Sequence, residues 1–240
     1  MRAQRSLLGA GVAAAAGVAV LIGLGLWQVQ RLEWKTALLG RIAANMAAAS
    51  VEFPMDADAF SLPGLEEYRR VCAEGVFRHD DELYLFAPDR LGHPGFHIIA
   101  PLAREGGTAV LVNRGFVPPA KKDPATRAEG QVEGMVRVCG ILRLDEEKRL
   151  FAPENDPEAN LWYVRDAPAM AGALSLETKH PAFIDADETP NEGGLPVGGQ
   201  TRLDIPNHHL GYAITWFGLA LALLGVFAAF AWQRRRNASK

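Results

Sequence analysis

Two adjacent histidines, His208 and His209, stand immediately before the second of two long uncharged apolar runs. At such a place a neutral imidazole can ligate a metal, or the iron of a haem whose macrocycle sits at a membrane boundary. With a helix beginning near Asn207, the residues three, four and seven beyond His209, namely Tyr212, Ala213 and Trp216, share its face. Aromatic rings beside small Gly211 and Ala213 then offer a flat slot for a porphyrin. The plainer alternative is an interfacial cap, with Asn207 satisfying free helix N–H groups and both imidazoles solvated. The residues by themselves leave both readings open and favour the cap, because an ionisable group at a membrane edge signals function without naming it.

Other chemistry is sparse. His93 and His97 have the i, i+4 spacing that puts two imidazoles on one helical face, but Pro94 and Gly95 intervene, so a loop or strand start is expected and no metal site. His79 and His180 are isolated among polar and turn residues and are expected at the surface. Cys72 and Cys139 fall on two predicted strands; a bridge needs their Cα atoms within about 7 Å, so two buried thiols are the default. Copper delivery by the pair lacks the nearby soft ligands it needs. The serines between the apolar runs, Ser50, Ser61 and Ser175, sit in no G-x-S-x-G elbow, and H-E-x-x-H, C-x-x-C and the P-loop are absent. The carboxylates are scattered and read as a solvated acidic surface. No catalytic group is expected.

The elements that must hold these residues follow from charge and hydropathy. The chain has 240 residues, 49% hydrophobic and 22% charged, with a formal charge of −3. That total combines opposites. Arg2, Arg5, Arg234, Arg235, Arg236 and Lys240 make the ends +6, while the stretch between the apolar runs holds the other 19 of 25 basic residues against all 28 acids, a charge of −9. Disordered chains, disulfide-dense miniproteins and basic nucleic-acid binders are excluded. Residues 7–29 and 210–232 are each long enough to cross roughly 30 Å of hydrocarbon as a helix. The first exceeds the apolar core of a cleaved signal peptide, so it is read as a retained anchor. The basic flanks put the tails 1–6 and 233–240 in the cytoplasm and residues 30–209 outside. Trp27, Trp34, Trp216 and Trp232 suit the headgroup layer, and Gly9, Ala13 and Gly17 would admit close packing on a partner helix.

Between the spans, residues 31–48 continue the first helix. Short β-prone runs follow at 68–77, 82–87, 96–102, 108–116, 132–142 and 161–164, separated by Gly, Pro, Asp or Asn. In the fifth, Val132, Val136, Val138 and Leu142 share a face by alternation. Asp166 caps a short helix through Leu174. Residues 191–200, NEGGLPVGGQ, read as a flexible return toward the second span. The expected fold is a membrane α+β protein, with two transmembrane helices flanking a β-rich antiparallel extramembrane domain.

Three strings carry a family resemblance: G-L-W-Q-V-Q-R-L-E-W-K at Gly25–Lys35, V-L-V-N-R-G-F-V-P at Val110–Pro118, and N-H-H-L-G-Y-A-I-T-W-F-G-L-A at Asn207–Ala220. In order and position they resemble the surfeit locus protein 1 family, assembly factors of cytochrome c oxidase, in a bacterial form. The resemblance implies an inner-membrane protein that binds haem a at the outer face and assists its insertion into the catalytic subunit of the oxidase. The lipid bilayer is then a partner, haem a synthase a further one, and nucleic acid none. It assigns the haem a ligand to His209, in an H-L-x-Y string, with Tyr212 and Trp216 beside it. Arg31 and Arg114 become candidates to meet the haem propionates, since guanidinium pairs with carboxylate bidentately; snorkelling for Arg31 and a salt bridge within the domain for Arg114 are the alternatives. Phe116 stands where the family often has Trp, and Gly115 is expected to serve a strand-end turn. A scaffold that stabilises oxidase assembly intermediates without binding haem is the competing function.

Overall fold

The computed structural model describes residues 2–54, 66–146, 152–176, 182–201 and 206–238; Ser61 and His180 lie outside them. The chain divides into two units, Met1–Arg41 with Asp204–Lys240, and Ile42–Leu203.

The first unit is a helix pair. Alanine and leucine dominate the early sequence and no proline occurs before Pro54, so nothing interrupts α1 (Arg2–Ala47). The second helix, α3 (His209–Ala238), starts after Pro206 and carries Arg235 and Arg236 in its last turn, where cations complement the helix dipole. Both are long and apolar enough to cross a membrane. They pack antiparallel: the rings of Phe217 and Phe227 and the Leu223 side chain meet Gly25, Gly11 and Gly17 in opposite order, and a Cβ on Gly25 would lie 2.6 Å from the Phe217 ring. Small residues let backbones approach closely, and Ala213 and Ala220 are the buried positions of α3. Of the series Gly9, Ala13 and Gly17, Gly17 packs on Leu223 of α3 while Gly9 faces open space.

The second unit is a seven-stranded sheet: β1 (Val51–Glu52), β2 (Arg70–Phe77), β3 (Leu83–Phe86), β4 (Phe96–Ala103), β5 (Ala109–Val117), β6 (Met135–Arg143) and β7 (Phe183–Ala186), with α2 (Ala167–Ala173) capped by Asp166 as the sequence indicates. The order is β1-β2-β6-β7-β5-β4-β3, and β2 also pairs with β4, so five strands close a ring with β1 and β3 at its margins. Closure leaves open edges only at the marginal strands β1 and β3 among the described residues. Most pairings are antiparallel, but β1–β2 and β5–β7 are parallel, which makes the sheet mixed. Alternation along β5 sends Val110 and Val112 into a core with Val71, Leu102, Leu142 and Ile184, and Leu111 to the other face with Trp162, Met170 and Phe183. Trp162 is fully buried and its indole N–H donates to Asn160 Oδ1 at 3.2 Å.

Three further expectations are corrected. Residues 161–164 form isolated bridges with Leu85 and Asp156 in place of a strand. Cys72 and Cys139 are directly opposed on β2 and β6 and form a disulfide, with Cα atoms 4.0 Å apart, because the register brings together residues separated by 67 positions. Residues 191–200 hold a short 3-10 turn at Glu192–Gly194 and are tied down, where a flexible return was expected: Phe116 and Val197 exchange both backbone hydrogen bonds, and Gly199 N–H donates to Ala186 O.

Candidate functional site

His209 is the first residue of α3, and its Nδ1 lies 2.7 Å from Oε1 of Gln28 on α1. An amide oxygen only accepts, so Nδ1 carries the proton and donates. Nε2 then bears the lone pair, and it has no hydrogen-bond partner among the described residues. A neutral imidazole held at one nitrogen and open at the other is the donor a haem iron takes. Tyr212 is well exposed and Trp216 half-buried, leaving aromatic surface beside the imidazole, while Gly211 opens on free space. Ala213 is buried in the helical unit and does not wall a slot, which corrects that part of the expectation. The capping role of Asn207 is also not formed. Its Nδ2 donates to Thr36 Oγ1 at 3.4 Å, and its Oδ1 is buried without a partner among the described residues.

On α1, Arg31 and Lys35 lie three and seven residues beyond Gln28, on the same face. Lys35 Nζ donates to Pro206 O, just before α3. Arg31 is exposed and its guanidinium stacks over the Trp34 ring, 3.9 Å from the centroid. His209 and Gln28 thus meet at the start of α3, with Tyr212 and Trp216 further along the helix of His209 and Arg31 one turn beyond Gln28 on α1. The signal for Gln28 in the sequence is a lone amide late in the first apolar run, at the depth where an antiparallel partner begins.

Arg114 sits elsewhere, inside the sheet unit, and is almost fully buried. A β-bulge between Ile98 and Ile99 leaves it without a cross-strand partner, and bulges re-aim the side chain they carry. Its Nη2 donates to Gly130 O at 2.6 Å and to Asn191 Oδ1 at 3.1 Å; Nη1 lies 3.4 Å from His79 Nδ1 and 3.7 Å from Glu82 Oε1. The guanidinium also covers Phe77. Burial pushes its pKa down to about 10, against the attraction of Glu82, so it stays charged near neutrality. Glu82 pairs with Arg127 through two hydrogen bonds, at 3.1 and 2.5 Å. Burial alone would raise the Glu82 carboxyl, but nearby His79, the hydrogen bonds from Arg127 and the Arg127 charge outweigh it and bring it to about 2. Of the two readings of Arg114, the geometry forms the salt bridge within the domain. His79 is correspondingly half-buried, its Nε2 donating to Val132 O at 2.8 Å, where a surface position was expected.

A second buried network centres on Asp185. It accepts from Asn113 Nδ2 at 2.9 Å, Thr201 Oγ1 at 2.9 Å and Arg165 Nη1 at 3.2 Å, with Arg143 3.8 Å away. Burial would raise this carboxyl, yet Arg165 and Arg143 hold it below its ordinary value. His97, early in β4 as expected, donates from Nε2 to Pro88 O and accepts at Nδ1 from Asn113; burial lowers its pKa and keeps it neutral. His93 is exposed and pairs with Asp89. Among the described residues no cluster of three or more His, Cys, Asp or Glu side chains is placed to hold a metal ion. The expectation of a wholly solvated acidic surface fails at Glu82 and Asp185. Asn113 and Arg114, neighbours in the Val110–Pro118 string, each anchor one network. Gly115, with φ +120°, lies within the strand beside the Val197 backbone and not in a strand-end turn; a Cβ there would lie 2.0 Å from Val197 O.

Residues 15–221 match the SURF1 family. The chain belongs to the SURF1 family. The match runs from α1 into α3 and takes in Gln28, Arg31, Arg114, His209, Tyr212 and Trp216. Among similar family proteins, Surfeit locus protein 1 of Rattus norvegicus is 40% identical over 233 residues, covering 90% of this chain and 72% of that one. Its Homo sapiens counterpart is 41% identical over 217 residues, with 83% and 70% covered, and that of Takifugu rubripes 39% over 221, with 85% and 89%. SURF1 family membership thus covers both apolar helices and the closed sheet.

Proposed function

We propose that this SURF1 family protein is an assembly factor for haem-a-containing cytochrome c oxidase, one that takes haem a as cargo at the outer face of a bacterial inner membrane and passes it to the catalytic subunit. The observation that carries the reading is His209: its Nδ1 is anchored, its Nε2 is open, and it stands at the head of an apolar helix of spanning length. Haem a brings an iron that accepts a nitrogen lone pair, carboxylates that seek cations, and a long apolar tail suited to lipid. His209 supplies the nitrogen, the rings of Tyr212 and Trp216 supply apolar faces, and exposed Arg31 meets a propionate. A single imidazole is a weaker hold than the two axial ligands of an acceptor site, so transfer runs toward the acceptor. Arg114 serves at one remove, ordering the domain through Glu82 and Asn191. Haem a synthase is the natural donor in this scheme.

The positive-inside bias supports cytoplasmic termini and a periplasmic sheet domain. A reporter fused after Lys240 is then active only in the cytoplasm, and periplasmic activity overturns the orientation. The function is tested by purifying the protein from cells that make haem a and measuring haem content together with co-purifying oxidase. We expect bound haem in the wild type and its loss in His209→Ala; oxidase co-purifying equally with both, and no haem in either, would favour the scaffold and refute the carrier.

A further inference from the structure

Among the described residues, Gln28 is the buried polar side chain of the helical unit, lying near the end of an apolar run. An amide removed from water in such surroundings needs a partner, and its oxygen finds one in Nδ1–H of His209, 181 residues away. We infer that Gln28 is the positioning residue of the His209 site: by accepting from Nδ1 it fixes the tautomer in which Nε2 is bare, sets the plane of the ring, and adds electron density to the ligating nitrogen. This deepens the carrier reading and rests on it, but its geometric part holds without haem.

A free imidazole favours the Nε2–H tautomer, in which the outward nitrogen is protonated and cannot ligate. A hydrogen bond from Nδ1 to a carbonyl or carboxylate oxygen reverses that choice and raises ligand basicity, and loss of such a partner weakens metal affinity by about 10- to 100-fold. The contact also joins two different helices, so the ring direction is tied to the helix packing set by Gly25 and Phe217. No other hydrogen bond to the His209 ring is present among the described residues.

The test uses the full chain in detergent micelles with ¹⁵N-labelled histidine at pH 8, where an ordinary imidazole is neutral. Long-range ¹H–¹⁵N correlation of the haem-free protein should show His209 protonated at Nδ1, the signal being identified by its absence in His209→Ala. Gln28→Leu should shift the ring to the Nε2–H form, and Gln28→Glu should keep Nδ1–H. With haem a added, Gln28→Leu should bind about 10-fold more weakly or worse. Gln28→Glu should restore binding, raise the iron–histidine stretching frequency of the ferrous form in resonance Raman spectra and lower its reduction potential. An Nε2–H tautomer in the wild type overturns the inference. So does an unchanged haem affinity and stretching frequency in Gln28→Leu and Gln28→Glu, which would leave the carrier reading standing. Correct tautomers with no haem binding by the wild type would instead refute the carrier reading and, with it, the ligand-positioning role.

Discussion

Replacing Glu82 by Gln removes one charge from a site that holds two arginines. Its carboxylate meets Arg127 through two hydrogen bonds and lies 3.7 Å from Arg114, and all three side chains are shut away from solvent. Breaking a buried ion pair by removing one partner costs about 3–5 kcal/mol, because the remaining charge is left uncompensated. The proton equilibrium gives an independent value. A carboxyl that titrates at 4.5 when unfolded and at about 2 when folded contributes about 3 kcal/mol of stability. Because the folded pKa is the lower one, that contribution is complete above about pH 4.5 and is lost as the pH falls toward about 2. The assay is urea unfolding of the full chain in detergent, followed by the fluorescence of Trp162, with the helix-borne tryptophans as a constant background. At a urea dependence of about 2 kcal/mol per M, Glu82→Gln should lower the midpoint by about 2 M at pH 7. Between pH 4.5 and 3 the wild type should lose more stability than the variant, since the variant retains only the acid sensitivity of groups such as Asp185. A midpoint within about 0.5 M of the wild type, or identical acid profiles, would refute the claim that this pair holds the sheet domain together.

Gly115→Ala should break the Phe116–Val197 pairing, because its Cβ falls 2.0 Å from Val197 O at a φ of +120°; a loss of about 1–3 kcal/mol in the same unfolding assay checks this, and wild-type stability contradicts it. Cys72 and Cys139 should resist maleimide labelling until reduced, and replacing both by Ala should destabilise by about 4 kcal/mol, from the chain length that the bridge closes. Gly25→Leu should force the helices apart, since even a Cβ there would sit 2.6 Å from the Phe217 ring; the His209 tautomer should then drift toward Nε2–H without any change at Gln28.

What the sequence made legible was periodic or local. The apolar runs predict both helices, short β-prone runs between turn residues predict β2 through β6, and Asp166 announces α2 by its capping chemistry. What stayed hidden depends on chain segments meeting at long range. Strand β7 is four residues long and carries a buried Asp185, so neither length nor polarity marks it. The disulfide needs a β2–β6 register that no local signal fixes. His79 and Glu82 look like surface residues until Arg114, Arg127 and Gln131 arrive from distant positions. At the candidate site the division is the same: His209, Tyr212 and Trp216 follow from helical spacing on one segment, whereas Gln28 emerges only when the two helices are laid side by side.

The most direct test of the carrier reading is the visible absorption spectrum of the full-length protein purified from cells that synthesise haem a. The wild type should show a haem a band that is missing from His209→Ala at equal yield and equal fold. A His209→Ala protein that keeps its full haem a band would contradict the carrier reading.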